Sequence, residues 1–332
     1  MSGIACAGNW ILDQVKTVDC WPGKGELANV LDETTGAGGS PFNVLIDLAR
    51  LRAPFATLGF GCIGNDGRGR EILRLCRREG VDAARLSRVS SAATSYTDVM
   101  SVAGTGERTF FHCRGANAFF SARYVDIPLM KRRGVRIFHL GYLLLLDALD
   151  KPDKTCGTRA AGLLRQVQSA GIETSVDVVS EASDRFRRVV RPALRFTDHL
   201  IINEVEAEKI TSIRTRHRGG MKEAAEALFR CGVRKTVVIH SPGGLYWRDS
   251  SGNGFFMDSL KIPEKYFVGA VGAGDALCAG VLLGLHEGWA PEETARIATG
   301  VAAACITAAN TTDGVRPLPE IRKLCRMWAV PS

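Results

Sequence analysis

The sequence has little that would tie it to a membrane. No apolar run approaches the roughly 18 residues that carry a helix across a bilayer, the longest candidate lying around residues 143–146. The opening stretch, Met-Ser-Gly-Ile-Ala-Cys-Ala-Gly-Asn-Trp, has neither a basic n-region nor a long apolar core. No secretory leader is therefore expected, and the cytoplasm is the expected compartment. Metal-binding spacings are missing as well: without a Cys-x-x-Cys pair or a His-Glu-x-x-His, sequence spacing offers no structural or hydrolytic zinc site. The 10 cysteines are scattered singly, and Cys6, Cys62, Cys231, Cys278 and Cys305 sit in apolar stretches, the pattern of buried free thiols rather than of a disulfide framework. Internal repeats and low-complexity linkers are absent, which predicts one domain over residues 1–332.

Charge is only mildly lopsided, 43 Lys and Arg against 35 Asp and Glu. The basic clusters, at Arg77 with Arg78, 131–133, Arg187 with Arg188 and 214–218, are short and carry no interleaved aromatics. Nucleic acid is therefore not an expected partner, although the net charge would draw in an anionic substrate such as a nucleotide.

What is present is a globular composition, 45% hydrophobic and 23% charged, with an excess of glycine at 36 residues. Glycine permits positive φ and close backbone approach to a ligand, so the excess suits loops wrapped around phosphates and tight sheet-to-helix turns. Short β-rich runs at 137–140, 174–177, 199–202 and 236–240 alternate with helix-period stretches. This alternation predicts an α/β fold, a mainly parallel sheet flanked by helices on both faces. Val44, Leu48 and Leu51 share one helical stripe, as do Leu277, Val281 and Leu285, and both helices follow glycine-rich turns.

Two regions, about 12–35 and 96–115, break that rhythm. Each reads as two short strands around a turn, 15–18 with 29–33 and 97–102 with 108–112, the second closed by Ala103-Gly104-Thr105-Gly106. Hairpins have no place in a parallel sheet, so they are expected to assemble separately as a small discontinuous β lid. Its exposed edges predict pairing with a second copy, giving a homodimer.

The strongest chemical signal is Phe267-Val268-Gly269-Ala270-Val271-Gly272-Ala273-Gly274-Asp275-Ala276-Leu277, a glycine-rich turn opening into an apolar-striped helix. Unpaired N–H groups of Gly272, Ala273 and Gly274 at a helix N-terminus, aided by its dipole, would stabilise charge on a transferring phosphoryl group. Asp275 at the helix start can accept a hydroxyl proton as phosphate leaves ATP. An ordinary N-cap Asp after a tight turn has the same local sequence, so the reading needs support from elsewhere in the chain.

That support comes from several separated segments. Gly38-Gly39-Ser40-Pro41-Phe42-Asn43 places a glycine pair before an Asn on a helix, and a glycine-rich stretch follows at 59–69. Asn203-Glu204-Val205-Glu206 ends a strand, and Gly106-Glu107-Arg108 and Gly115-Ala116-Asn117 lie in the second hairpin region. With these, the chain resembles the ribokinase-like (PfkB) family of carbohydrate kinases from Gly8 to about Pro317.

The resemblance implies transfer of the γ-phosphoryl group of ATP to a hydroxyl of a small sugar or polyol. Asp275 would be the base and Gly272, Ala273 and Gly274 the anion hole, while Asp13, Gly39 and Asn43 would contact the substrate. A carboxylate can accept from two neighbouring hydroxyls and an amide both donates and accepts, which suits a polyol. Asn203 and Glu206 would meet Mg2+ largely through waters. The loop His240-Ser241-Pro242-Gly243-Gly244 would face nucleotide phosphates, with His240 and Gly243 as its contacts.

The match also departs from the family pattern. Gly269-Ala270 stands where the family usually has Asp-Thr, which leaves a monovalent-cation site in question. His139-Leu140-Gly141-Tyr142 lacks the Glu that ribokinases tend to carry, which argues against ribose. A neutral sugar is the first expectation; a keto-deoxy sugar acid and a nucleoside remain alternatives. Arg108 or Arg114 in the lid would favour an acid, and Trp10, Trp21 or Phe111 could stack on a nucleobase. From other classes, a non-catalytic sugar- or nucleotide-binding homologue stands beside an NAD-dependent oxidoreductase, the latter suggested by Gly59-Phe60-Gly61-Cys62-Ile63-Gly64.

Overall fold

The computed structural model describes residues 2–105 and 107–329. Among these, nine strands form one sheet. In spatial order they are Gly254–Asp258, Gly244–Asp249, Thr236–Ser241, His199–Asn203, Glu173–Val178, Val135–Leu143, Gly3–Gly8, Ala56–Gly64 and Arg85–Val89. The strands from Thr236–Ser241 to Arg85–Val89 run parallel, and the other two close one edge as an antiparallel meander.

Strand periodicity explains the layers. Along Gly3–Gly8, Ile4 and Cys6 pack into one core while Ala5 and Ala7 pack into another. The first core is covered by helices Ser40–Arg50, Ala273–Glu287 and Pro291–Cys305 through residues such as Leu45, Val281 and Val301. Helices Arg159–Ser169, Phe186–Leu194 and Arg218–Arg230 cover the second through Leu164, Val190 and Leu228. A sheet buried on both faces needs no polar alternation, which is why its strands read as continuous apolar runs.

The second sheet is antiparallel at its margins and parallel at its centre. Its order is Val30–Gly38, Ile11–Val18, Tyr96–Val102, Arg108–Cys113. Both expected hairpins form, and Ile11–Val18 pairs in parallel with Tyr96–Val102 to join them. The first hairpin is longer than its apolar signal, running from Ile11 to Gly38, because the polar segments at 13–17 and 32–36 also pair. Gly106, expected in the turn of the second, lies outside the described residues.

The glycine-rich stretch 59–64 has a packing explanation. It lies within strand Ala56–Gly64, and a Cβ at Gly61 would fall 2.0 Å from Trp10 Cδ1. The buried indole of Trp10 donates to the Phe60 carbonyl at 2.9 Å. The next helix, Gly67–Glu79, starts only after Asp66, whose side chain caps it. Glycines within a strand and beneath an indole cannot cradle a pyrophosphate at a helix N-terminus, so the basis for the oxidoreductase reading disappears.

All ten cysteines are free; Cys6, Cys62, Cys278 and Cys305 are buried as expected, while Cys231 is only partly so. Among the described residues, no helix is long and apolar enough to cross a membrane.

Candidate active site

The carboxyl-terminal ends of four adjacent parallel strands deliver Tyr142, Asp177, Asn203 and His240 to one edge of the large sheet. Ligands of open α/β sheets bind at such an edge. The helix Ala273–Glu287 points its N-terminus at the same place. Gly272 opens it at φ 80°, and a Cβ there would meet the Thr311 carbonyl at 2.4 Å, so the turn requires glycine. Among the described residues, the N–H groups of Gly272 and Gly274 have no backbone acceptor, whereas that of Ala273 reaches back to the Ala270 carbonyl at 3.4 Å.

Asp275, in the first turn, is 6% exposed. Its Oδ2 accepts from the Asn43 amide at 2.7 Å and its Oδ1 from the Tyr142 hydroxyl at 2.6 Å. Burial, reinforced by the charge of Asp177, pushes its carboxyl up to about 6; the Asn43 and Tyr142 hydrogen bonds pull the other way. Asn43 in turn accepts from the Thr311 hydroxyl at 3.2 Å. Both ends of its amide are thus engaged, which makes it an aligner of Asp275 as well as a wall of the cavity.

Asp275 stands where cavities meet. On one side, a space of about 740 Å3 is lined by Asp13, Gly39, Asn43, Tyr142 and Gly272, with Arg108 and His112 entering from the smaller sheet. On the other, about 190 Å3 lies between Asp275, Asp177, Asn203, Glu206, Ser180 and Gly274. Asn203, His240 and Gly274 continue from there into a cleft of about 470 Å3, floored by apolar side chains including Leu277, Phe267 and Ile306.

Asp13 comes from strand Ile11–Val18 and its carboxyl lies over the Gly38 backbone, where a Cβ would be 2.3 Å from its Oδ1. Burial pushes it up to about 7, against the pull of the Thr97 hydroxyl and with a further push from Asp275. Gly39 holds φ 87° with the Asn9 carbonyl 2.4 Å from a would-be Cβ, so glycine is obligatory here too. Arg108 and Arg114 part ways. Arg114 is taken up by Asp147 at 2.6 Å and Glu181 at 3.4 Å, while Arg108 enters the cavity with its Nε sealed and unpartnered.

Asn203 and Glu206 form a capping box at the start of helix Glu204–Thr211. Each accepts from the other's backbone N–H at 2.9 Å, and Glu206 Oε1 also accepts from the Ser180 hydroxyl at 2.8 Å. Burial pushes Glu206 up to about 8. The oxygen-rich lining of the small cavity suits magnesium, which takes oxygen ligands and keeps several waters. With its oxygens already engaged, Glu206 fits contact through that water shell. His240 packs against Gly274 and burial pushes it down to about 4, so its imidazole is neutral. Gly243 faces an adjoining cavity beside Arg216 and Arg218, whereas its neighbours Ser241, Pro242 and Gly244 line the cleft itself.

Profile comparison matches residues 1–317 to the pfkB family of carbohydrate kinases. The chain belongs to that family. It is a phosphotransferase acting on a sugar hydroxyl. A ribokinase of Schizosaccharomyces pombe is 23% identical over 335 residues, covering 97% of each sequence. The ribokinase of Arabidopsis thaliana, solved in complex with ribose and ATP, superposes at a TM-score of 0.80 with 21% identity over 97% of this chain and 98% of that one. A ribokinase II from E. coli with ATP and magnesium gives 0.76 and 19%, covering 98% of this chain and all of the other. At these identities the solved structures establish the ribokinase-like fold.

Sequence reasoning missed Tyr142 as a partner of Asp275, and Asp177 as the nearby charge that acts most on it. Tyr142 stood in the stretch singled out for departing from the family, and that departure was its available signal. The proposed base-stacking aromatics do not reach the cavity. Trp10 stacks on Phe42 in the core at 4.7 Å between ring centroids, and Trp21 lies on Phe111 at 6.3 Å, outside the lining.

Proposed function

We propose that this pfkB-family chain transfers the γ-phosphoryl group of ATP to a hydroxyl of a small sugar or polyol held between Asp13 and Asp275. The observation that carries this is the position of Asp275, at the junction of two cavities and beside the free N–H groups of Gly272 and Gly274. Asp13 accepts from substrate hydroxyls and the Gly39 backbone allows them close approach. Asn43 and Tyr142 align Asp275, which takes the proton of the attacking hydroxyl as the bond to phosphorus forms. The free N–H groups of Gly272 and Gly274 meet the charge on the transferring phosphoryl group.

The apolar cleft beyond Gly274 suits the adenosine, with His240 and the 241–244 loop beside its phosphates. Asn203 and Glu206 would hold Mg2+ largely through its waters, and the ion would neutralise phosphate charge. The smaller sheet acts as a lid, excluding water that would hydrolyse ATP. Its open edge strand Val30–Gly38 exposes Val30 and Leu31, which supports pairing with a second copy.

The test is an ADP-release screen over sugars, sugar acids and nucleosides, with thermal shift on the hits. Sugar-dependent ADP release that Asp275→Asn abolishes is the expected result. Binding without turnover would leave a non-catalytic homologue, and turnover confined to nucleosides would overturn the sugar assignment.

A further inference from the structure

His139, Asp177 and Cys278 meet behind Asp275, brought there by two neighbouring strands of the large sheet and by helix Ala273–Glu287. One ligating atom from each lies within 4.8 Å of the other two. His139 Nε2 stands 3.5 Å from Asp177 Oδ2 and 3.9 Å from Cys278 Sγ. Ligands bonded tetrahedrally to zinc at about 2.0–2.3 Å lie roughly 3.3–3.8 Å from one another, so these separations are close to the edges of a coordination tetrahedron.

The surroundings supply two further signs. Asp177 is 6% exposed, and its Oδ1 is sealed from solvent without a hydrogen-bond partner. That oxygen faces the nest: a Cβ built on Gly141 would lie 2.4 Å from it and 2.7 Å from Ser40 Oγ. A buried carboxylate oxygen left without a donor is suited to a cation. His139, fully buried, has its Nδ1 3.1 Å from the Ser175 hydroxyl, the outer-sphere contact that orients a ligating imidazole and leaves the opposite nitrogen for a metal. Ser40 Oγ hydrogen-bonds Nε2 at 3.0 Å, a contact that a bound metal would replace, leaving the hydroxyl as a further oxygen beside the ion. Phosphoryl transfer as described above uses neither His139 nor Cys278.

We propose that His139, Asp177 and Cys278 form a binding site for a soft divalent cation of the zinc class, distinct from the magnesium that accompanies the nucleotide. Imidazole, carboxylate and thiolate together suit zinc or cobalt, whereas magnesium takes oxygen ligands alone. Asp177 and Cys278 also line the 190 Å3 cavity containing Asp275, which gives the ion a way in. Binding replaces the thiol proton of Cys278, which leaves to solvent. The bound ion then lies against the catalytic centre, so zinc and phosphoryl transfer act on the same small space.

The proposal is independent of which sugar is phosphorylated and is tested on the full chain, stripped with a chelator and titrated with Co2+. The expected result is a thiolate-to-cobalt charge-transfer band with the visible bands of a tetrahedral site, unmoved by excess Mg2+. Cys278→Ser should lose the charge-transfer band, and His139→Gln should weaken binding by at least about tenfold, the lower end of what even outer-shell partners contribute. Cys20→Ser, at an exposed thiol, should change neither. Zn2+ should also raise the Tm of the unaltered protein, a reading that requires no variant to fold. Absence of the charge-transfer band, its persistence in Cys278→Ser, displacement of Co2+ by Mg2+, or a Tm that Zn2+ fails to raise would each overturn the proposal.

Discussion

Asp13 and Asp275 line the same cavity, both raised by burial, yet they are held in different ways. Asp275 sits on a long buried helix and receives one hydrogen bond on each oxygen, from side chains anchored in two other elements. Asp13 sits on a strand of the smaller sheet, with Thr97 as its polar neighbour, and keeps acceptor capacity free. A group that must take a proton from one oxygen at one instant profits from being fixed before substrate arrives. A group that must recognise two hydroxyls is better left for the substrate to complete. On the proposed roles, the cavity couples a rigid floor to a wall that the substrate completes.

The largest expected effect breaks the floor. Asp275→Asn keeps the size of the side chain but cannot accept the proton, so kcat should fall by about two to four orders of magnitude. The KM for sugar should change little if, as proposed, recognition lies with Asp13. Steady-state kinetics on the best sugar, with far-ultraviolet circular dichroism to verify folding, checks both parts. A kcat within a factor of a few of the parent would remove Asp275 from the role of base.

Breaking the wall should look different. Asp13→Ala removes hydrogen bonds to a charged acceptor, each worth roughly 1.5–3 kcal/mol, so kcat/KM should fall about ten- to a hundredfold, mostly through KM. If kcat fell as far as in Asp275→Asn with KM unchanged, the division between floor and wall would be wrong.

A finer cut tests how the floor is tuned. The Tyr142 hydroxyl donates to the charged form of Asp275 and so lowers its proton affinity. Its loss in Tyr142→Phe should raise that affinity. Since the base must be ionised, the acid limb of kcat/KM, expected near pH 6 in the parent, should move to higher pH. The plateau above it should fall far less than in Asp275→Asn. A limb that stayed in place, or moved to lower pH, would show that Tyr142 does not act through Asp275.

The same contrast explains what could be read before the fold was known. The turn before helix Ala273–Glu287, the helix after Gly39 and both hairpins are written locally, in glycines, apolar stripes and turn residues that sit next to one another in the chain. Tyr142 and Asp177 are not. Each lies at the end of an apolar strand where any polar residue would read as a strand terminus, and only the order of the sheet brings them to Asp275. The His139, Asp177 and Cys278 cluster is hidden for the same reason, its members lying 38 and 101 residues apart in the chain with no metal-binding spacing. Conversely, the glycines of 59–64 resembled a nucleotide loop because the indole they accommodate, Trp10, lies some fifty residues earlier.

The smallest expected effect concerns the loop beneath the proposed phosphoryl site. Gly269-Ala270 replaces the Asp-Thr of the family pattern, so no side-chain carboxylate remains there to hold a monovalent cation. The Arg108 guanidinium also lies beside this loop, its Nη2 2.5 Å from where a Cβ on Gly269 would stand. Exchanging K+ for Na+ or tetramethylammonium at constant ionic strength should therefore leave kcat unchanged. Activation by K+ of several-fold would mean that main-chain carbonyls alone retain the ion, and that the floor depends on a component its side chains do not reveal.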